Sequence, residues 1–196
     1  MRPSSSHPRA NREARSTTAA LLATALLLWA PLLLAGCAST QLPPDAPELV
    51  EQVNLERYAG LWYQVGRYPH WFQGGECRLS TARYTLRDDG RINVRNDCWA
   101  DQVDGRSTQS VTAVARPMDE SNAWLRVRFY NLFPANYLII ELSPDYEWAA
   151  VSTPDAESLW ILSREPSLPE STYAMILDRL AARGYTREDI MRTSLQ

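Results

Sequence analysis

The sequence predicts an all-β protein, an eight-stranded antiparallel up-and-down β-barrel with one C-terminal α-helix packed on its outside. The first observation is a series of short runs rich in aromatic and β-branched residues, which is the composition of strands. The eight predicted strands are residues 61–68, 78–87, 91–98, 107–115, 123–129, 137–142, 148–153 and 159–164. Short turn sequences separate them, and short connections place consecutive strands side by side in antiparallel order. Eight such strands close into a barrel wide enough for one small ligand.

The N-terminal segment predicts export and lipid attachment. Four arginines lie within the first 15 residues, and an uncharged apolar run, residues 17–34, follows them. This is the pattern of a signal peptide. The run ends in Leu34-Ala35-Gly36-Cys37, which resembles a bacterial lipobox. We therefore expect a cleaved lipoprotein signal peptide at residues 1–36 and an acylated Cys37; the alternatives are an ordinary secretory signal or a transmembrane helix.

The residues after the predicted cleavage site indicate where the protein is sorted. Ala38 and Ser39 follow the cysteine, so the next position carries no aspartate. In this respect the sequence resembles lipoproteins that are sorted to the Gram-negative outer membrane. Acyl chains on Cys37 would hold the protein on that membrane, facing the periplasm. The whole chain has a net charge of −3, and removing the arginine-rich signal makes it more acidic. An acidic mature chain argues against nucleic acid as a partner.

The mature chain divides into a tether and one domain. Residues 37–51 hold three prolines and no periodic apolar pattern, which is typical of an extended, lipidated tether. Residues 52–196 are long enough to bury a core as a single domain. Near the start of this domain, Asn54 is placed to cap a short helical turn over residues 53–58.

Turn and helix signals define the remaining elements. Asp88-Asp89-Gly90 predicts a short hairpin loop, with glycine where a positive φ is needed. Ser167-Leu168-Pro169-Glu170 predicts a capping box with proline in the first turn of a helix. Apolar residues recur at helical spacing over residues 168–183, and Gly184 ends the segment. A last short strand is expected near Ile190-Met191.

Alternation along the strands predicts which side chains face the interior. In the first strand Trp62, Gln64, Gly66 and Tyr68 share a face. In the next two strands the shared face carries Ala82, Tyr84, Leu86, Ile92, Val94, Asn96 and Cys98. Such a mixture of small, apolar and polar groups suits a cavity for an acyl chain with a polar head near the mouth. The predicted ligand-binding residues are Gln64, Tyr68, Tyr84, Val94, Asn96, Phe129, Tyr137 and Ile139.

Several of these assignments have alternatives. Inward residues can simply fill the barrel, and we expect this for Trp62, Leu86 and Ile92 at the closed end. The aromatic segment over residues 129–134 is expected to form a hydrophobic lip. Arg126 and Arg128 alternate with apolar residues. The simpler expectation is that both arginines face solvent, and if they face inward they could pair with a carboxylate or phosphate.

Two motifs far apart in the sequence resemble the signature of the lipocalins. They are Gly60-Leu61-Trp62-Tyr63 and Leu159-Trp160-Ile161-Leu162-Ser163-Arg164. Further matching stretches, residues 82–96 and 137–146, are similar to those of the bacterial lipoprotein lipocalins. The resemblance covers about residues 52–194. It implies structural roles for Gly60, Trp62 and Arg164, with the arginine lying across the tryptophan ring in a cation–π contact.

The two remaining cysteines, Cys77 and Cys98, are expected to form a disulfide, because the periplasm is oxidising. A three-residue loop that pairs Arg87 with Arg91 places Ser80 opposite Cys98. Cys77 then needs a bulge or its neighbouring loop to reach its partner. The alternative is that Cys98 points into the barrel as a reactive thiol, as in the lipocalin-type prostaglandin synthases.

The sequence therefore predicts a binding protein rather than an enzyme. His70 is the single histidine of the mature chain and is expected in an exposed loop, and no metal-ligand spacing or cofactor motif is present. We expect reversible binding of a fatty acid or lysophospholipid at the outer membrane, with a homodimer possible. The alternatives are a lipid-modifying enzyme that uses Cys98 and a structural envelope lipoprotein that binds a protein partner.

Overall fold

A computed structural model of the chain describes residues 41–69, 77, 79–99, 107–129 and 134–193. The predicted signal peptide, the predicted acylation site Cys37 and His70 lie outside these residues. Most of the predicted aromatic lip, residues 130–133, also lies outside them.

The secondary structure follows the predicted order closely. The strands are β1 Gly60–Arg67, β2 Leu79–Leu86, β3 Ile92–Trp99, β4 Gln109–Pro117, β5 Trp124–Phe129, β6 Ala135–Leu142, β7 Trp148–Ser152, β8 Leu159–Ser163 and β9 Met191–Arg192. The helices are α1 Leu55–Tyr58 and α2 Glu170–Ala182, with a 3₁₀ turn at Arg187–Asp189. Helix α1 begins as predicted, because the side chain of Asn54 accepts a hydrogen bond from the Arg57 amide at 2.8 Å.

The eight long strands form the predicted closed barrel. Each strand from β2 to β7 pairs antiparallel with the next, and β1 pairs with both β2 and β8, which closes the barrel. The short β9 pairs with the C-terminal end of β1. The predicted hairpin register is confirmed, because the Arg87 amide donates to the Arg91 carbonyl at 2.8 Å and Ser80 lies opposite Cys98. The up-and-down barrel with one C-terminal helix is confirmed.

Two hydrophobic clusters hold the fold together, one on each side of the sheet. The barrel core lies inside the barrel and includes Trp62, Ile92, Leu125, Val127, Ile139, Val151 and Leu162. The helix core lies between the outer surface and α2 and includes Val65, Trp148, Ile161, Tyr173, Ile176 and Leu180. Both clusters lie within residues 41–196, which form one compact unit of the chain.

The start of α2 differs from the prediction. The helix begins at Glu170 with Pro169 as its N-cap residue, and no side chain makes a capping hydrogen bond there. The predicted capping box from Ser167 to Glu170 is therefore wrong. The Glu170 side chain instead forms a salt bridge with Arg192 of β9, which ties the helix to the last strand.

The described part of the predicted tether runs along the barrel. The Val50 amide donates to the Ile139 carbonyl at 3.1 Å, and Arg183 of α2 donates to the Glu48 carbonyl at 3.1 Å. Leu42 and Leu49 pack against the helix core. The chain is therefore held on the barrel surface before α1 begins.

A β-bulge in β1 changes which residues face inward. Gln64 lies opposite Leu162 and Gly66 lies opposite Ile161, so Val65 is an extra residue between them. Because one inserted residue reverses the alternation, Gly66 turns outward, where a Cβ would lie 2.8 Å from the Tyr173 hydroxyl oxygen. The prediction that Gly66 and Tyr68 share the inward face of Trp62 is wrong.

Candidate ligand-binding site

One end of the barrel is closed by Trp62 and Arg164. The Arg164 guanidinium carbon lies 3.8 Å from the centre of the Trp62 ring. The same guanidinium donates to the carbonyl oxygens of Leu61 at 2.8 Å and Arg57 at 2.6 Å. The indole N–H of Trp62, which is fully buried, donates to the Tyr58 carbonyl at 2.8 Å. This network ties α1, β1 and the end of β8 into a plug.

Gly60 allows this plug to form. Its φ is +102°, a region that favours glycine, and a Cβ at this position would lie 3.1 Å from Nη1 of Arg164. The strand therefore starts at a glycine because the arginine needs to approach its backbone closely. With this end closed, a ligand would enter from the end formed by Arg67, Cys98 and Phe129.

A chain of three tyrosine hydroxyls lies inside the barrel. The Tyr137 hydroxyl is 2.7 Å from the Tyr58 hydroxyl and 3.0 Å from the Tyr84 hydroxyl. Burial raises the pKa of Tyr84 to about 12 and raises the pKa values of Tyr58 and Tyr137 well above their ordinary value. Three hydroxyls have three hydrogens, and two bonds use only two of them. One hydrogen of the chain can therefore be donated to a ligand.

The rest of the inner wall is mainly apolar and contains small side chains. Small residues of the barrel core include Ala82, Ala113, Ala115 and Ala149. Alanines at these positions reduce the side-chain volume inside the barrel, whereas larger residues would fill it. Val94 and Ile139 add larger apolar side chains to this wall, and only 4 % and 0 % of their surfaces are exposed. An acyl chain is the kind of group that such a wall accommodates.

The open half of the barrel carries a buried cation that the sequence analysis missed. After the bulge at Val65, Arg67 lies opposite Trp160 of β8, which packs against the barrel core. Arg67 therefore faces inward and is only 9 % exposed. Burial lowers the pKa of its guanidinium. The signal was present in the sequence, because a glycine inside a strand often marks a bulge, and Gly66 is such a glycine.

Most of the predicted ligand-binding residues lie on the inner wall. They are Gln64, Tyr84, Val94, Asn96, Phe129, Tyr137 and Ile139. Within this set, the Asn96 side-chain oxygen is buried and has no hydrogen-bond partner among the described residues. Their contact with a ligand stays a prediction.

Tyr68 is the exception, and its assignment to the inner wall is corrected. Its ring packs against Tyr185 outside the barrel, with the ring centres 6.2 Å apart. Its hydroxyl accepts a hydrogen bond from the Thr186 amide at 2.7 Å. The cause is the bulge at Val65, which reverses the faces of the residues that follow it, so that Arg67 turns inward and Tyr68 turns outward.

The structure also gives the orientation of the two arginines of β5, Arg126 and Arg128. Leu125 and Val127 belong to the barrel core, so the alternating Arg126 and Arg128 point outward. The solvent-facing orientation, which was the simpler expectation, is confirmed. These two arginines therefore do not provide a cation inside the barrel.

Cys77 and Cys98 form the predicted disulfide, with their Cα atoms 5.3 Å apart. Cys98 shares the inner face of β3 with Val94 and Asn96. Because its sulfur is bonded to Cys77, Cys98 has no free thiol in this structure. The alternative of a thiol enzyme gains no support.

Two further properties of the described residues bear on function. In this part of the chain, no cluster of three or more His, Cys, Asp or Glu side chains has the arrangement needed to hold a metal ion. None of the helices described here combines the length and apolar character needed to cross a membrane.

Comparisons with known proteins agree with this architecture. A family model described as "Lipocalin-like domain" matches residues 53–194. The chain is 34 % identical over 157 residues to "Outer membrane lipoprotein Blc" of Citrobacter freundii, covering 80 % of this chain and 86 % of the relative. It is 32 % identical over 153 residues to "Temperature-induced lipocalin-1" of Arabidopsis thaliana, covering 74 % and 81 % respectively. The crystal structure of lobster apocrustacyanin A1 superimposes with a TM-score of 0.55 at 15 % identity, covering 80 % of this chain and 94 % of that chain, which is a likeness of fold.

Proposed function

Because the chain belongs to the lipocalin family, we propose that it is an outer-membrane lipoprotein that reversibly binds a fatty acid or lysophospholipid in its barrel. Residues 1–36 would act as the signal peptide, and acylated Cys37 would anchor the protein on the periplasmic side. The similarity to relatives named outer membrane lipoproteins supports this location. The lipobox-like sequence Leu34-Ala35-Gly36-Cys37 supports the anchor. Binding would serve transport, scavenging or storage of lipids at the envelope.

The observation that carries the proposal is the polarity of the barrel interior. Trp62 plugs one end, and alanines and aliphatic residues line most of the wall. The tyrosine hydroxyls near this plug are hydrogen-bonded to one another, whereas Arg67 and Asn96 lie towards the other end of their strands. A single-chain lipid has the same order of an apolar tail and a polar head. Burial of the tail would drive binding at roughly 25 cal/mol per Å² of apolar surface. Lysophospholipids and fatty acids both meet this description.

Native mass spectrometry of the 38–196 fragment, purified from cells, tests the binding. The fragment contains both hydrophobic clusters, so it includes the whole barrel. We expect a stoichiometric fatty acid or lysophospholipid, identified after organic extraction. A protein that is purified empty and also refuses added palmitate and lysophosphatidylcholine would refute the proposal.

A pair of alanine variants locates the ligand in the barrel. Ala113 is 4 % exposed on the inner wall of β4, whereas Ala181 is exposed on α2. Ala113→Phe should greatly weaken palmitate binding, because its ring occupies the space of the acyl chain, and Ala181→Phe should not. Circular dichroism distinguishes a filled barrel from an unfolded one. Equal palmitate affinity in both folded variants would mean that the lipid binds elsewhere.

The anchor is tested on the full chain. Radiolabelled palmitate supplied to the cells should appear in the wild-type protein and be absent from Cys37→Ser. Fractionation of the envelope should find the wild-type protein in the outer membrane. A labelled Cys37→Ser variant would refute acylation at this cysteine.

A further inference from the structure

Arg67 is a charged residue inside the barrel without a carboxylate partner in the described part of the chain. Its guanidinium makes one hydrogen bond among these residues, from Nη1 to the Tyr68 carbonyl at 3.1 Å. None of the salt bridges between described residues includes it. A guanidinium has five N–H donors, so several remain for another group.

The burial of this cation is energetically costly. A buried charge is stable only when it is paired or well hydrogen-bonded. Arg67 is 9 % exposed, whereas most arginines of the barrel surface, such as Arg116 and Arg128, lie in solvent. The lowered pKa of Arg67 has the same cause, because desolvation disfavours its charged form. An anion bound beside Arg67 would remove this penalty.

The backbone holds the cation in this orientation. The bulge at Val65 turns Arg67 inward. The terminal segment fixes this end of β1, because Met191 of β9 pairs with Arg67 and the Thr193 amide donates to the Val65 carbonyl at 3.0 Å. The outward Gly66 lies against Tyr173 of α2, where a side chain would not fit. The strand, the helix and the terminal segment thus set the side on which the arginine lies.

We propose that Arg67 binds the anionic head group of the ligand, a carboxylate or a phosphate, while the acyl chain extends toward Trp62. This inference rests on the proposed lipid binding and adds that the ligand is an anionic single-chain amphiphile. Arginine suits both head groups, because its planar fork donates two parallel hydrogen bonds to either. The half-buried side chains of Phe129 and Trp160 lie in the same half of the barrel as Arg67.

The test compares two ligands that differ only in the head group, palmitate and 1-hexadecanol, on the delipidated 38–196 fragment. In Arg67→Met the apolar stem is kept and the charge is lost. We expect this variant to bind palmitate roughly 10- to 100-fold more weakly, which is about 1.4 to 2.8 kcal/mol. Its affinity for hexadecanol should stay within about 3-fold of wild type, because no charge-assisted hydrogen bond is lost there. Arg67→Lys should recover part of the palmitate affinity.

Arg128→Met is the matched control, because Arg128 is exposed and points outward from β5. It should leave both affinities unchanged. An equal loss of palmitate and hexadecanol in Arg67→Met would overturn the proposal, since it would mean that the residue only shapes the mouth. An unchanged palmitate affinity would also overturn it.

Two further measurements distinguish the role of Arg67 from lipid binding itself and from binding of a free anion. Wild-type protein that binds neither palmitate nor hexadecanol would refute lipid binding itself, and the head-group assignment with it. Wild-type protein that binds hexadecanol as tightly as palmitate would keep lipid binding and refute only the role of Arg67. Inorganic phosphate is the probe for a free anion, and binding of phosphate as tight as that of lysophosphatidate would overturn the assignment to a lipid head group.

Discussion

Replacing Arg164 by alanine should destabilise the barrel more than any other substitution of an arginine on its surface. The guanidinium donates to four backbone carbonyls, those of Leu61 at 2.8 Å, Arg57 at 2.6 Å, and Tyr58 and Tyr146 at 3.2 Å. Hydrogen bonds from a charged donor contribute about 1.5 to 3 kcal/mol each, and they are not additive within one group. Solvent reaches part of this network, so we take the lower end of the range for two of these bonds. The cation–π contact with Trp62 adds about 1 kcal/mol.

The expected loss in the free energy of unfolding is therefore about 4 kcal/mol. Urea denaturation followed by tryptophan fluorescence measures it on the 38–196 fragment. With a slope of about 2 kcal/mol per M, the midpoint should fall by about 2 M while the slope stays the same. Arg164→Lys should lose roughly half as much, because a single ammonium keeps the charge over Trp62 but cannot span the carbonyls.

Arg128→Ala provides the baseline for this measurement, because Arg128 is an exposed arginine whose loss should cost less than about 0.5 kcal/mol. A loss of less than about 1 kcal/mol in Arg164→Ala, or a loss equal to that of Arg128→Ala, would contradict a stabilising role for the arginine network. In either case the closed end of the barrel would be held by apolar packing, and the arginine network would contribute little.

Three further predictions concern other parts of the molecule. Gly66→Ala should lower the free energy of unfolding by about 1–3 kcal/mol, because the new Cβ would lie 2.8 Å from the Tyr173 hydroxyl oxygen. The Tyr173 hydroxyl is buried without a hydrogen-bond partner among the described residues, so Tyr173→Phe alone should leave the stability unchanged. Combined with Gly66→Ala it should restore much of the lost stability, and thermal unfolding that shows no such recovery would contradict the prediction. Reduction of the bond between Cys77 and Cys98, which are 21 residues apart, should cost about 3 kcal/mol in urea denaturation, and equal midpoints with and without reductant would count against it. Burial raises the pKa of Tyr84 to about 12, so the stability gained from its neutral hydroxyl is complete below pH 10 and is lost as the pH rises toward 12. Tyrosinate absorbance measures this titration, and ionisation of all tyrosines near pH 10 with an unchanged circular dichroism spectrum would contradict the prediction.

Much of the fold could be predicted because its signals are local. Alternation and turn residues locate each strand, and the hairpin at Asp88-Asp89-Gly90 sets the register of β2 and β3 far enough to place Ser80 opposite Cys98. The same alternation places Val94 and Ile139 on the inner wall and turns Arg128 to solvent. A pattern of period two is reliable as long as the strand is regular.

The candidate site was predicted less completely, because part of it depends on contacts between distant segments. Alternation in β1 fails at Val65, where one extra residue moves Tyr68 outside and Arg67 inside. Tyr58 lies before the first predicted strand, so alternation could not assign it to the interior. It reaches the barrel core because α1 packs across the closed end, where its hydroxyl meets that of Tyr137.

The sequence by itself determined the barrel, its strand order, the helix and the residues that close one end, because hydrophobic period, turn chemistry and the lipocalin-like motifs act over a few residues each. Only the tertiary structure decided which cation lies inside. The position of a bulge depends on how β1 aligns with β8 and on the space that Gly66 leaves for α2, and both come from parts of the chain distant in sequence. A shift of one residue reverses every side chain beyond it, so a small change in pairing turned Arg67 from a surface residue into the proposed head-group contact.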